Sequence, residues 1–270
     1  MRGFELCALS FEQEKMRRLI RWSVLGALVL CGLWIAYEVA TFPWLAVWRL
    51  RNRNPQTTAL IEARLEEARA RGQQPRRAQI WVPIEKISVN LQRAVLAGED
   101  TNFMTHHGFD YEAIQKAWEQ AQREAEKEAR EEGDTDPTSW IPAMPSFKRG
   151  ASTITQQLAK NLYLSTERSF LRKAREAAIT FYLERCLSKK RILEIYLNVI
   201  EWGDGIYGAE AAARAYFNKS AASLSPGEAA YLAAMIPNPR TVFNPQLNPR
   251  RVARRQRIIL RGMPHVKIPS

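Results

Sequence analysis

One long apolar stretch near the N-terminus constrains the fold of this chain more than any other feature. Residues 22–37 (WSVLGALVLCGLWIAY) carry no charge, and after Glu38 the apolar composition continues as far as Trp48. A helix of about 20 apolar residues is long enough to cross the hydrocarbon core of a bilayer. The pattern therefore predicts a transmembrane helix at 22–42, a tail at 1–21 and a membrane-proximal linker at 43–77.

Charged residues near this stretch bear on its orientation. A basic cluster precedes it, formed by Lys15, Arg17, Arg18 and Arg21. This cluster favours a cytoplasmic tail and an extracytoplasmic domain, although Arg49, Arg51 and Arg53 on the other side weaken the asymmetry. A cleaved signal peptide is the alternative, but the apolar stretch is longer than usual for one and no clear small-residue cleavage site follows.

The remainder of the chain has the periodicity of a helical domain. Apolar residues recur at intervals of three and four, as on amphipathic helices. Ser88 or Asn90 can cap a short helix that Gly98 would end, which would leave Glu99 on the following turn. Further helices are predicted at 60–70, 111–132, 153–164, 172–187, 189–199, 209–216 and 229–235, the last opened by a capping box at 225–228. We therefore expect a mainly α domain at 78–262 and a short tail at 263–270.

Charge is distributed unevenly along the chain. The formal net charge is +12, yet residues 119–136 hold eight acidic and three basic residues, so the positive excess lies elsewhere. The segment 119–148 is interpreted as a solvated charged helix followed by a proline-containing loop. The basic excess suits nucleic acid, anionic lipid or a phosphorylated substrate. The three histidines and three cysteines lack the spacing of a metal site, so none is predicted.

Three segments combine carboxylates, a polar helix start and cations. Residues 97–110 (AGEDTNFMTHHGFD) place an adjacent Glu and Asp beside aromatic, histidine and glycine residues. Residues 149–160 (RGASTITQQLAK) open a capped helix, whose free amides and dipole favour an anion. Residues 172–176 (RKARE) put two cations within helical reach of a second Glu. Each pattern alone also fits a solvated surface, where a carboxylate or a series of ion pairs contributes little to stability.

In this order and spacing, the three segments resemble the peptidoglycan glycosyltransferase family, in particular its monofunctional, membrane-anchored members. The resemblance covers roughly residues 78–262. It implies a lysozyme-like helical domain with a smaller membrane-proximal lobe, attached to one N-terminal transmembrane helix and held on the periplasmic side of the inner membrane. Family members generally have a shorter connection at 119–148, so this segment is an insertion in the flexible lobe.

The resemblance implies a role for each matching residue. Glu99 would be the general base, and Glu176 would be a second acid in the cleft. The substrate-binding residues would be Ser152, Thr153, Gln156, Gln157, Lys160, Arg168, Arg172 and Lys173. The supporting residues would be Asp100, Phe103, His107, Gly108 and Asn198. Among these, Asp100 and His107 are expected to hold the first motif's turn by hydrogen bonding.

The resemblance also implies the reaction and its participants. Glu99 would deprotonate the 4-hydroxyl of the acceptor lipid II, which would attack C1 of the growing glycan strand, invert its configuration and release undecaprenyl pyrophosphate. No cofactor is required, and a divalent cation (Mg²⁺ or Mn²⁺) is allowed at the pyrophosphate. Cell-division or elongation proteins are the expected protein partners, and nucleic acid is not a partner. The Ser-x-x-Lys and Lys-Thr-Gly motifs of transpeptidases do not occur.

Two other classes of function fit part of the sequence. A lysozyme-like lytic enzyme would also be helical and would also use one prominent Glu. A non-enzymatic membrane protein could use the basic C-terminal segment to bind lipid or nucleic acid, because Val252, Ile258 and Ile259 beside its arginines suit an amphipathic surface helix.

Overall fold

A computed structural model describes residues 2–132, 152–164 and 169–269 of the chain, and within these ranges the fold is dominated by helices. In chain order the longer helices are α1 (Arg2–Thr41), α2 (Trp44–Arg49), α3 (Ala59–Ala70), α4 (Val89–Glu99), α5 (Tyr111–Glu132), α6 (Ile154–Tyr163), α7 (Phe170–Cys186), α8 (Lys189–Val199), α9 (Ala209–Phe217), α10 (Pro226–Met235) and α11 (Pro249–Gly262). Short 3-10 helices occupy Ile84–Lys86, Ala221–Ser223 and Met263–His265. The prediction of a mainly helical fold is confirmed.

The described residues fall into two compact units, Met1–Leu45 and Ala46–Ser270. The first consists mainly of α1, whose apolar side chains are exposed throughout the described part. The segment Met16–Arg49 is long and apolar enough to cross a membrane. It contains the transmembrane helix predicted at 22–42.

The second unit begins earlier than the sequence predicts. Ile61 on α3 is fully buried, and Thr58 caps that helix by accepting a hydrogen bond from the Ile61 amide at 3.1 Å. The segment predicted as a linker at 43–77 is therefore largely part of the folded unit. The same holds for the tail predicted at 263–270, because Met263 and Val266 are buried.

The helices of this unit form two packed groups. Helix α10 packs against α4 and α11, and α6 packs against α7 and α8. Alanines supply much of the α10 surface, which allows neighbouring helices to approach closely. Four apolar or aromatic residues of α8 are buried: Ile192, Ile195, Tyr196 and Val199.

A small sheet joins the start of the domain to the segment after α8. Its strands are β1 (Ala78–Gln79), β2 (Glu201–Gly203) and β3 (Ile206–Tyr207), in the order β1-β3-β2. Strand β1 pairs parallel to β3, and β2 pairs antiparallel to it. Gly208 follows β3 with φ of 82°, and a Cβ there would lie 2.7 Å from the Asn198 carbonyl oxygen, so this turn requires glycine.

The end of α4 differs from the prediction. Gly98 does not end the helix, and Glu99 is its last residue. A Cβ on Gly98 would lie 3.0 Å from Cδ1 of Ile259 on α11. The absence of a side chain at Gly98 therefore allows α4 and α11 to approach closely. Gly98 does not end the helix, although glycine often has that role. Helix α5 occupies the predicted range, whereas the loop predicted at 133–148 lies outside the described residues.

Candidate active site

A cleft of about 680 Å³ lies beside the end of α4. Its walls come from α3, α6, α7, the α8–β2 connection, the segment after α10, and α11. Five of the residues predicted for the site line it: Glu99, Ser152, Gln157, Lys160 and Arg172. The structure thus brings the three sequence segments, which are separated by up to about 70 residues, to one surface.

Glu99 is held in the cleft wall by two side chains. Its side chain is only 8% exposed. Nη2 of Arg255 donates to Oε1 at 2.8 Å, and Nε2 of Gln157 donates to Oε2 at 2.9 Å. Burial raises the pKa of Glu99 above its ordinary value, and the charge of Arg255 and both hydrogen bonds oppose this rise. The carboxylate therefore occupies a fixed position with a basicity above that of an exposed Glu.

The two partners of Glu99 are themselves fixed. Nη2 of Arg255 also donates to the Gly98 carbonyl oxygen at 2.7 Å, and its guanidinium carbon lies 5.5 Å from the centre of the Phe243 ring. The hydroxyl of Tyr196 donates to Oε1 of Gln157 at 2.7 Å, which directs the Gln157 amide nitrogen towards Glu99. These contacts limit the rotamers of both partners.

The turn that follows α4, next to Glu99, is closed by Asp100 and His106. Nε2 of His106 lies 2.9 Å from Oδ1 of Asp100, and the Gly108 amide donates to Nδ1 of His106 at 3.1 Å. Since Nδ1 accepts, Nε2 carries the proton and donates to Asp100. Oδ2 of Asp100 accepts from the Ile154 amide at 2.9 Å, which connects this turn to the start of α6.

The hydrogen bonds of this turn correct one expectation. His107, which was expected to hold the turn, is exposed, and its neighbour His106 makes the contacts instead. Asp100 takes the expected role. Phe103 is buried below the turn, and the Lys189 ammonium lies 4.5 Å from the centre of its ring. Gly108 has φ of 91°, so it permits a backbone conformation that other residues rarely adopt.

Thr153 and Gln156 build the start of α6 and do not line the cleft. Their side chains form a capping box, in which Thr153 caps the Gln156 amide and Gln156 caps the Thr153 amide. Oγ1 of Thr153 also donates to the Gly108 carbonyl oxygen at 2.7 Å. Thr153 borders a smaller cavity of about 180 Å³, which Glu99 and Ser152 also line. Both buried side chains therefore position α6, whereas Gln157 reaches into the cleft.

Cations surround the other predicted carboxylate. Glu176 is buried and forms ion pairs with Arg172, whose Nη1 lies 3.3 Å from Oε2, and with the Lys173 ammonium. Arg172 lines the cleft, but Lys173 is exposed outside it. Desolvation lowers the pKa of Lys160, and Glu176 opposes this effect most strongly. Arg168 lies outside the described residues.

Asn198, which is also predicted to support the site, lies on α8. It is fully buried, its Oδ1 accepts from the Val82 amide at 2.9 Å, and its Nδ2 donates to the Val82 and Glu194 carbonyl oxygens. These contacts attach the segment after β1 to α8. The supporting role of Asn198 in the site stays a prediction.

Comparison with known proteins assigns the domain that carries this cleft. A family model described as transglycosylase matches residues 66–134 and 140–264. The chain belongs to the transglycosylase family. This match starts within α3, in agreement with the early start of the folded unit, and it is interrupted inside the predicted insertion.

Curated relatives agree with this assignment. The chain is 43% identical over 254 residues to the biosynthetic peptidoglycan transglycosylase of Dechloromonas aromatica (strain RCB), covering 94% of this chain and 100% of the relative. It is 44% identical over 254 residues to that of Thiobacillus denitrificans, with the same coverage, and 44% identical over 255 residues to that of Bordetella pertussis, covering 94% and 98%. This transglycosylase is therefore a peptidoglycan glycosyltransferase.

The cleft of the transglycosylase contains residues that the sequence analysis did not place there, namely Arg64, Tyr196, Glu201, Arg240 and Arg255. The position of Arg255 in the cleft could have been predicted from the sequence. It lies three residues after Val252 and four before Ile259, both buried, so it falls on the apolar face of α11. A charged residue on a buried face requires a partner, and Glu99 is that partner.

Hydrogen-bonding groups without partners collect at the same cleft. Among the described residues, four buried side-chain polar atoms have no hydrogen-bond partner. Three of them belong to residues that line the cleft: Nε of Arg172, Oε1 of Glu201 and Nε of Arg255.

Proposed function

We propose that this transglycosylase polymerises lipid II into glycan strands, with Glu99 as the general base. The observation that carries the proposal is the buried carboxylate of Glu99, held by Arg255 and Gln157, in a cleft that Lys160 and Arg172 also line. Glu99 would accept the proton of the acceptor's 4-hydroxyl as that oxygen attacks C1 of the donor strand. The attack would invert the configuration at C1 and release undecaprenyl pyrophosphate.

The environment of Glu99 supports its role as a base. A general base must be ionised and yet basic enough to accept a proton near neutral pH. Burial raises the pKa of Glu99, and Arg255 limits that rise. Ser152, exposed at the start of α6, and Gln157 lie beside Glu99 in the cleft wall, where they would contact the sugars.

The cations support a phosphorylated donor. Hydrolysis of a simple glycoside generally requires a second carboxyl group as a proton donor for the leaving group. A pyrophosphate is a better leaving group, and it needs positive charge to stabilise the negative charge that develops on it. Lys160 and Arg172 would supply this charge from the cleft, and Lys173 and Arg168 would contribute from its rim. Glu176 would fix the side chains of Arg172 and Lys173.

We propose further that the enzyme is a single-pass protein of the inner membrane with its domain on the periplasmic side. The apolar segment Met16–Arg49 is long enough for one span, and the basic cluster at 15–21 favours a cytoplasmic N-terminus. Lipid II and the growing strand would then be confined to the same membrane as the enzyme, which raises the frequency of productive encounters. A divalent cation would enter only together with the substrate pyrophosphate.

A polymerisation assay on purified lipid II tests the proposal. We expect glycan strands from the full-length wild-type protein and a loss of at least about 100-fold in kcat for Glu99→Gln, since general base catalysis typically contributes factors of this size. The thermal unfolding temperature of Glu99→Gln serves as the control for folding. Wild-type activity in Glu99→Gln would refute the assignment of the base.

The same preparation distinguishes the lytic alternative. Incubation with purified cell wall, without lipid-linked precursor, should release no soluble fragments. Release of fragments that depends on Glu99, without polymerisation of lipid II, would replace the biosynthetic function by a lytic one. EDTA added to the polymerisation assay tests the contribution of a divalent cation.

A further inference from the structure

The mechanism proposed above uses only one of the six arginines of α11. Residues 229–270 contain seven arginines and one lysine but no aspartate or glutamate. Arg255 pairs with Glu99. None of the other five arginines of α11 forms an ion pair within the described part of the chain. All five are exposed: Arg250, Arg251, Arg254, Arg257 and Arg261.

Four of the exposed arginines lie in one row along α11, which we call the basic row. They follow one another at intervals of four, three and four residues: Arg250, Arg254, Arg257 and Arg261. These intervals place them on one face of the helix. At a rise of about 1.5 Å per residue, the row is about 17 Å long. Val252 and Ile259 are buried on the opposite side, so the basic row lies on the outer side of the helix.

Two exposed apolar side chains accompany the basic row. Ile258 lies one helical turn from both Arg254 and Arg261, and Leu247 lies just before α11. The structure therefore changes the picture of α11 as an amphipathic surface helix. Its apolar face is used for packing within the domain, and its outer side combines unpaired arginines with these two apolar residues.

We infer that the basic row is a docking surface for the anionic phospholipid headgroups of the membrane. A guanidinium group can bind two phosphate oxygens with a pair of parallel hydrogen bonds. Arginines without carboxylate neighbours are attracted to a negatively charged lipid surface, and apolar side chains beside them can enter the boundary between headgroups and acyl chains. The inference rests on the proposed membrane anchorage, which keeps such headgroups close to the domain.

The position of the cleft on the same helix favours lipid over other anionic partners. Arg255 lies on α11 and lines the cleft. A docked α11 would therefore hold this wall of the cleft about one helix diameter, about 10 Å, from the headgroups. A lipid-linked substrate carries its pyrophosphate at the membrane surface, so docking would bring the cleft within its reach. An acidic protein or a nucleic acid is the competing occupant of the basic row.

The test measures how close α11 lies to lipid in the full-length protein. The protein is reconstituted in nanodiscs of phosphatidylcholine alone and in nanodiscs that also contain phosphatidylglycerol. Cys7, Cys31 and Cys186 are replaced by serine, and a fluorophore is attached at Ile258→Cys. Quenching of this fluorophore by a nitroxide on the lipid reports the ratio of docked to free domain. Quenching should be stronger with phosphatidylglycerol and should weaken as salt is added.

Two variants of equal net charge make the test specific. One replaces the four arginines of the basic row by glutamine. The control replaces four exposed arginines on other parts of the domain: Arg69, Arg76, Arg93 and Arg185. Each arginine near an anionic surface should change the ratio of docked to free domain about fivefold, so Arg254→Gln alone should lower it by that factor. The basic-row variant should be quenched only as much as wild type in phosphatidylcholine, and the control variant should remain docked. Unfolding temperatures verify that all variants fold.

Equal quenching in the two lipid compositions, or an equal loss in the two variants, would overturn the inference. If in that case polyglutamate or DNA binds wild type but not the basic-row variant, the occupant is an acidic protein or a nucleic acid. A wild type that docks but does not polymerise lipid II would refute the proposed function without affecting the docking result. If the protein does not insert into nanodiscs, the single-pass proposal fails, and quenching on added vesicles of the same lipids still tests the basic row.

Discussion

Removal of the positive charge of Arg255 should weaken catalysis mainly at low pH. Two opposite charges about 4 Å apart attract each other by about 4 kcal/mol at an effective dielectric constant of about 20. The Arg255 side chain is 27% exposed, so solvent weakens this attraction. We therefore take about 2 kcal/mol as the interaction energy that is lost when the charge of Arg255 is removed. A change of about 2 kcal/mol corresponds to roughly 30-fold in the ionised fraction of a carboxyl group.

The direction of the pH effect follows because the reaction needs Glu99 in its ionised form. Burial already raises the pKa of Glu99, and the charge of Arg255 opposes this, so Arg255→Met should raise that pKa further. Only ionised Glu99 can act as the base. We therefore expect activity on the acidic limb of the pH profile to fall about 30-fold, the limb to lie at higher pH, and activity to recover as the pH rises.

The assay is lipid II polymerisation by the full-length protein across the pH range in which it remains folded. Arg93→Met is the control, because Arg93 lies on α4, the helix of Glu99, but is exposed and does not line the cleft. A pH profile of Arg255→Met that superimposes on that of wild type would refute the electrostatic argument. A loss that is equal at all pH values would assign Arg255 to positioning Glu99 alone.

Three further predictions concern the surroundings of the cleft. Gly108→Ala should cost about 2 kcal/mol of unfolding free energy in urea, since its Cβ would meet Thr180 Cγ2 at 2.9 Å at a positive φ, whereas Gly227→Ala, with open space, should not destabilise. Hydrogen bonds from Arg240 and Arg64 lower the pKa of Glu67 to about 2. Glu67→Gln should therefore lose about 1 kcal/mol of stability at neutral pH, after allowance for an exposed fraction of 32%. This difference from wild type should vanish as the pH falls from about 4.5 to 2. Tyr196→Phe frees the Gln157 amide to turn away from Glu99 and should lower kcat on the order of tenfold in the polymerisation assay, with stability as the control.

Features that depend on neighbouring residues in the sequence were predictable. Ser225 and Glu228 form the capping box expected from their spacing, and α10 starts there. Arg172 pairs with Glu176 one helical turn away, as predicted. In both cases the contact lies within one turn of a helix, where spacing alone determines which side chains meet.

Features that depend on tertiary packing were not predictable in this way. Glycine is common at the ends of helices, but Gly98 lies within α4 because Ile259 packs closely against it. The choice between His106 and His107 depends on which imidazole the turn directs inwards. Gln156 and Gln157 are equally polar, and only the capping box shows that the first is buried and the second reaches Glu99. No local pattern contains this information.

The ion pair between Glu99 and Arg255 joins positions 156 residues apart in sequence. Helix α11 is synthesised after all the other long helices, so a nascent chain can complete α4 and α6 while Glu99 still lacks its arginine. The carboxylate then lies on an incomplete surface, open to water and without the packing of Ile259 against Gly98. The surroundings of Glu99 are therefore complete only once α11 has docked against α4.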